Sequence, residues 1–122
     1  MTEWKDFSGE EVALLTSNPK PPTYRLERQC PSCGQLRIRF YYHELVGPMR
    51  TIGSSYFWCS SCKKKTHFTG RPMSQIYRFD DPFKELKMEE FGRLEKRNFF
   101  EQLDELWSSG ELPQCFEEKK EG

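Results

Sequence analysis

Four of the chain's five cysteines form two pairs of one pattern, Cys30-Pro31-Ser32-Cys33-Gly34 and Cys59-Ser60-Ser61-Cys62-Lys63, with 25 residues between Cys33 and Cys59. Two C-x-x-C units can place four thiolates around one tetrahedral metal ion at bond lengths of about 2.3 Å. Four protein ligands fill such a site and leave no position for water or substrate, so the chemistry on offer is structural rather than catalytic. The donors suit Zn²⁺, and iron in a rubredoxin-like cage is chemically allowed. The expectation is one structural zinc per chain, held by Cys30, Cys33, Cys59 and Cys62. Cys115 reads as a spare thiol. His43 and His67 could each replace an absent thiolate, but four sulfurs suffice, so both read as packing or surface residues.

No other pattern carries reactive chemistry. The chain has no G-x-S-x-G, no H-E-x-x-H and no glycine-rich phosphate loop, so no enzyme, catalytic residue or small-molecule substrate is expected. Arg37 and Arg39 share a strand face with Tyr41, and Arg50 and Lys63 to Lys65 add further charge. Such a mixture of cations and aromatics can grip single-stranded nucleic acid, or can be a solvated face with cation–π contacts.

The elements that must position the cysteines are legible. Ser8-Gly9-Glu10-Glu11 is a capping-box pattern that predicts a helix from Gly9 to Ser17, ended by Asn18-Pro19-Lys20-Pro21-Pro22. Thr23 to Gln29 alternates as a strand leading into the first knuckle. Gly34 suits the positive φ of a sharp turn after Cys33. From Gln35 to Leu45 the alternation puts Leu36, Ile38, Phe40 and Tyr42 on one face and Arg37, Arg39, Tyr41 and His43 on the other. Gly47-Pro48 turns the chain, Thr51 to Trp58 returns to the second knuckle, and Lys64 to Thr69 leaves it. Arg71 to Phe79 fits a short strand or a packing loop.

Asp80-Asp81-Pro82 predicts a helix start, with Phe83, Leu86, Phe91 and Leu94 as its stripe. Gly92 and Asn98 favour a break into two helices, and Asn98-Phe99-Phe100-Glu101 resembles a second capping box, closed by Gly110. The predicted fold class is α+β: an antiparallel sheet with a short N-terminal helix and one or two C-terminal helices. Its parts are a helix and linker over 1–22, a sheet over 23–79, a helical segment over 80–116 and a frayed tail over 117–122.

Composition bounds the class. A mean hydropathy of −0.86 is low, but 10 Phe, 5 Tyr and 3 Trp are too many for a disordered chain. No apolar run is long enough to span a bilayer, and the first residues lack a signal-peptide pattern, so a cytoplasmic protein with reduced cysteines is expected. Residues 1–70 hold 10 Lys/Arg against 6 Asp/Glu and residues 71–122 hold 9 against 13, so a neutral chain is +4 in its first part and −4 in its second. That polarity implies that the two parts dock on each other, or that an acidic face meets a basic partner.

At its two knuckle motifs the chain resembles the zinc-ribbon superfamily over about residues 23–70. The resemblance implies the four-cysteine zinc and, for nucleic-acid contact, Arg37, Arg39 and Lys63 to Lys65. In size, aromatic richness and acidic helical half, the chain is also similar to small immunity proteins encoded beside bacterial polymorphic (Rhs or contact-dependent) toxins. That likeness implies a non-enzymatic protein that binds and blocks one cognate toxin. The alternative is a nucleic-acid-binding or transcription-associated zinc ribbon.

Overall fold

The computed structural model describes residues 4–16, 28–96, 98–112 and 114–119. The proline-rich linker expected at 18–22, most of the strand expected over 23–29 and the last residues of the tail lie outside the described residues. The molecule is α+β, as its sequence predicts. A five-stranded sheet has the order β1-β5-β4-β3-β2, with β1 Lys5–Asp6, β2 Arg28–Gln29, β3 Leu36–Val46, β4 Thr51–Cys59 and β5 Lys64–Gly70. All neighbours are antiparallel except β1 and β5, which pair in parallel through Lys5 with Lys64 and Asp6 with Lys65. The β3–β4 hairpin turns at Gly47, whose N–H donates to the Arg50 carbonyl at 3.0 Å.

The sheet is covered on both faces. The alternation of β3 sorts its side chains as the sequence predicts, yet both sets are buried from Ile38 to His43. Ile38, Phe40, Tyr42, Phe57 and Cys59 meet Phe7, Leu15 and Phe116 on one face. That face is roofed by the helix α1, Gly9–Leu15, and by a small sheet of β6, Tyr77–Phe79, and β7, Phe116–Glu118. Tyr41, Tyr56 and Trp58 meet Phe91, Phe99, Leu103 and Leu112 on the other, roofed by α2, Met88–Glu95, and α3, Phe99–Ser109. Gly53 lies opposite Glu44 in the hairpin, and its missing Cβ leaves room for the Tyr42 ring, whose Cε1 would stand 2.8 Å from such an atom.

Carboxylates from the second half of the chain fasten this second face. Trp58 Nε1–H donates to Asp104 at 2.9 Å, Tyr41 OH to Asp81 at 2.5 Å, Trp4 Nε1–H to Glu101 at 3.0 Å, and Tyr56 OH to Glu95. A buried aromatic with a polar tip needs such a partner. Burial first, and then the adjoining carboxylates, hold the Tyr41 and Tyr56 hydroxyls far above the ordinary phenol range. Acids of the second half thus dock on neutral aromatic donors of the first, and opposite charges add to this at Asp104, which takes Arg39 at 2.8 Å and Lys63 at 3.6 Å.

Three local expectations change and one open alternative is resolved. The helix predicted at Pro82 begins at Met88, because Asp81 is drawn inward: its Oδ1 accepts the Phe83 N–H at 2.8 Å in a tight turn, and its carbonyl accepts the Lys84 N–H. Asn98 does separate α2 from α3, but in the left-handed conformation (φ 42°) and with no side-chain cap, so the second capping box is not formed. Arg71 to Phe79 holds both a 3₁₀ turn, Met73–Gln75, and the strand β6. Glu117 and Glu118, expected to fray, pair with Arg78 and Tyr77 in β7, and the Lys119 N–H reaches the Ile76 carbonyl at 2.8 Å.

Candidate metal centre

Each cysteine pair sits where a strand ends in a tight turn, and the two turns are built alike. In the first, the Gly34 N–H bonds back to the Cys30 carbonyl at 2.9 Å; in the second, the Lys63 N–H bonds back to the Cys59 carbonyl at 3.1 Å. Both closing residues have positive φ, 78° at Gly34 and 59° at Lys63. A lysine tolerates this conformation less easily than glycine, so the second knuckle carries a strain the first avoids. The Ser60 N–H, inside the second knuckle, donates to the Arg37 carbonyl at 3.1 Å and ties that knuckle to β3, the strand that leaves the first.

These turns bring four sulfurs together. The Sγ atoms of Cys30, Cys33, Cys59 and Cys62 all lie within 4.8 Å of one another. Cys30 to Cys62 and Cys33 to Cys59 are each 3.7 Å apart, much too long for disulfides. A tetrahedron with metal–sulfur bonds of about 2.3 Å has edges of about 3.8 Å. The donor set and spacing therefore fit one metal ion, and zinc suits them. Backbone N–H groups already face the sulfurs: Ser32 and Cys33 toward Cys30 Sγ at 3.4 and 3.5 Å, and Cys62 toward Cys59 Sγ at 3.5 Å. Such donors stabilise thiolate charge and orient the ligands.

Electrostatics sets the condition for four thiolates in this cluster. Burial pushes the Cys62 thiol up to about 12 and raises Cys59. Burial also opposes ionisation of Cys33, but there the Gln35 backbone N–H and the neighbouring thiols outweigh it and bring the value to about 7. One thiolate is thus accommodated without metal. Four in the same volume repel each other unless a cation sits among them, and binding one displaces the remaining protons.

The first residues of the chain brace this end of the sheet. Val12 and Leu15 of α1 pack on the core that contains Cys30 and Cys59. Glu11 completes the capping box, accepting the Ser8 N–H at 2.8 Å while the Glu11 N–H donates to Ser8 Oγ at 3.2 Å. The same carboxylate takes Lys64 Nζ, just beyond the second knuckle, at 3.3 Å. With the Ser8 N–H as the leading cause, its pKa is held down to about 2. The sequence showed the capping box; the reach from Glu11 to Lys64 depends on packing between segments 53 residues apart and has no local signal.

The other candidates stand elsewhere. His43 and His67 do not join the sulfurs. His67 lies flat on Tyr56 with ring centroids 4.4 Å apart, and burial lowers its pKa. His43 is buried, stacked on Phe91 and 2.6 Å from Asp81. Cys115 is outside the cluster, and its N–H donates to Asp80 at 2.6 Å. Arg39, read with Arg37 and Tyr41 as a cationic face, is 7% exposed. Its guanidinium bonds Asp104 at 2.8 Å and lies 5.5 Å from the Trp107 ring centre. Lys63, Lys64 and Lys65 reach Asp104, Glu11 and Asp6 respectively, while Arg37 and Arg50 are exposed. No helix among the described residues is long and apolar enough to cross a membrane. Compared with protein-family models, curated proteins and solved structures, the chain matches none.

Proposed function

We propose that this chain is a non-enzymatic, zinc-braced binding protein that acts by blocking a protein partner, and that the partner is a cognate bacterial toxin with a basic surface. The observation that carries the reading is the division of labour among the acids of the helical layer. Asp81, Glu101 and Asp104 are half-buried against the sheet and exposed Glu95 reaches the Tyr56 hydroxyl, while Glu85, Glu89, Glu90, Glu105 and Glu111 are exposed. The first set docks the layer; the exposed set, in which Glu89 pairs with Arg93 at 4.0 Å, faces solvent and steers a basic partner, whose encounter rate such charge raises. The zinc supplies no reactive position in this reading, because four thiolates close its coordination. The nucleic-acid alternative has less support, since Arg39 and Tyr41 are enclosed and Arg39 is already paired.

The test is co-expression with the toxin-bearing product of an adjacent gene. A stable 1:1 complex, protection of the cells, and a slower, less salt-sensitive association after Glu89→Lys and Glu90→Lys are expected. Absence of both complex and protection would sink the proposal. Salt-dependent oligonucleotide binding that falls with Arg37→Ala would support the alternative.

A further inference from the structure

The outer edge of the sheet, along β3, is covered for only part of its length. Gln114 shows which backbone groups face outward there. Its side-chain carbonyl accepts the Tyr42 N–H at 2.8 Å, and its amide donates to the Tyr42 carbonyl at 2.8 Å. One buried carboxamide thus stands in for a peptide unit of a neighbouring strand. Residues two apart on a strand point their N–H and C=O the same way. Glu44 and Val46 therefore present theirs to the same edge, while those of His43 and Leu45 face Ser54 and Ile52 of β4. Among the described residues no hydrogen bond reaches the outward N–H or C=O of Glu44 or Val46. β2 pairs with β3 only at Leu36 and Ile38, and Val46 is 73% exposed. A bare edge of this kind is a template for another strand.

Two clefts flank this edge. One of about 470 Å³ has Val46, Tyr77 and Phe79 as its apolar wall; another of about 360 Å³ has Leu45 and Leu86, which pack with the helix-covered core. Glu44 and Val46 border both. Successive side chains of a strand point to opposite faces, so a strand added here sends one toward Tyr77 and the next toward Leu86. Main-chain bonds with pockets for alternate side chains are how extended peptides are recognised at sheet edges. Charge then selects among occupants. Arg78, Lys84, Lys87 and Lys119 rim the clefts, and none forms an ion pair among the described residues. Of the two carboxylates beside them, Glu44 takes the Tyr42 OH and the Ser74 N–H, and Asp81 takes Tyr41, His43 and the Phe83 N–H. A second copy of the chain would set these four cations against four like charges, whereas an acidic segment complements them.

We propose that the edge of β3 at Glu44 and Val46 receives, as an added strand, an extended segment of a protein partner rich in β-branched residues and in Asp or Glu. The inference is independent of the toxin-blocking reading and of the metal. The probe is a pool of capped octapeptides of Val, Ile, Asp and Glu, with a matched pool in which Lys replaces both acids, followed by amide NMR and hydrogen exchange in the full chain. In the free chain the Glu44 and Val46 N–H groups are expected to exchange quickly while those of His43 and Leu45 are protected. The acidic pool should shift the two edge amides saturably and slow their exchange, and the lysine pool should not. Val46→Pro removes an outward donor and no bond to β4, a change that edge strands tolerate. It should abolish the effect at Glu44 and leave His43 and Leu45 protected. Lys84→Glu combined with Lys87→Glu, both at exposed positions, should weaken binding about tenfold. The proposal is overturned if the acidic pool gives no saturable shift by about 1 mM, or if the lysine pool acts equally. It is also overturned if a folded Val46→Pro chain or, should that variant not fold, the double lysine variant binds as the parent does. Edge amides already protected in a peptide-free dimer would overturn it in favour of a second copy.

Discussion

Asp104 shows how much one carboxylate of this chain is asked to do. It takes Arg39 at 2.8 Å and the Trp58 indole at 2.9 Å through the same oxygen, and Lys63 approaches the other at 3.6 Å. Arg39 and Trp58 are both buried, so removing the acceptor leaves the indole N–H without its partner and takes from Arg39 its carboxylate, leaving it longer contacts such as those to the Asp104 carbonyl and Ser108 Oγ. Asp104→Ala is expected to cost about 3–5 kcal/mol, the penalty for breaking a buried pair from one side, read as a fall in the urea midpoint without a change in slope. Gly53 makes the opposite demand, for an absence. Gly53→Ala forces a methyl group against the Tyr42 ring and should cost about 1–3 kcal/mol; a variant as stable as the parent would show that the ring can move aside. Neither residue is conspicuous in the sequence. Asp104 sits among many acids, and nothing around Gly53 announces that an aromatic ring two strand positions from Glu44 will lean across it.

At the scale of elements, the local signals were the readable ones. Ser8 and Glu11 form the box their spacing predicts, Gly34 and Gly110 take positive φ where a turn and a helix end require it, and Asn98 interrupts the helical segment. These features depend on neighbours within a few residues. The misread ones depend on partners far away. Asp81 looks like a helix cap until His43 and Tyr41 claim it, 38 and 40 residues back in the chain. Arg39 looks solvent-facing until α3 closes over it. The charged members of β3 alternate as if one face met water, whereas carboxylates from the helices allow that face to be buried. The α1 box yields a pH prediction. Glu11 is held near 2 when folded against an ordinary value of 4.5, so its stabilising contribution is complete above about pH 4.5 and disappears as pH falls toward 2. Glu11→Gln should flatten the acid limb of the stability curve in that window; an unchanged limb would reject the assignment.

For the whole molecule, the metal centre and the apolar core cannot be separated. Cys30 and Cys59 are core residues as well as members of the four-sulfur cluster, packed with Phe7, Leu15, Ile38 and Phe57. Elemental analysis is expected to find one zinc per chain. Cys59→Ser should lose it and lower the melting temperature, since metal binding in small domains contributes on the order of 10 kcal/mol to folding. A metal-free protein with unchanged melting would exclude a structural ion. Hydrogen exchange after chelation should show protection lost first at the two knuckles and α1, then across β4.

The pairing of β1 with the beginning of β5, together with the Trp4–Glu101 bond, has a consequence for the order of assembly. Trp4 and Glu101 are 97 positions apart, and β1 has no strand to join until Lys64 and Lys65 are available. Trp4 and β1, synthesised before their partners, therefore find their place late, after both knuckles and the acidic helices exist to receive them. The Trp4 indole becomes a clock for the final step: an emission change specific to it should lag behind the burial of Trp58 when the chain refolds.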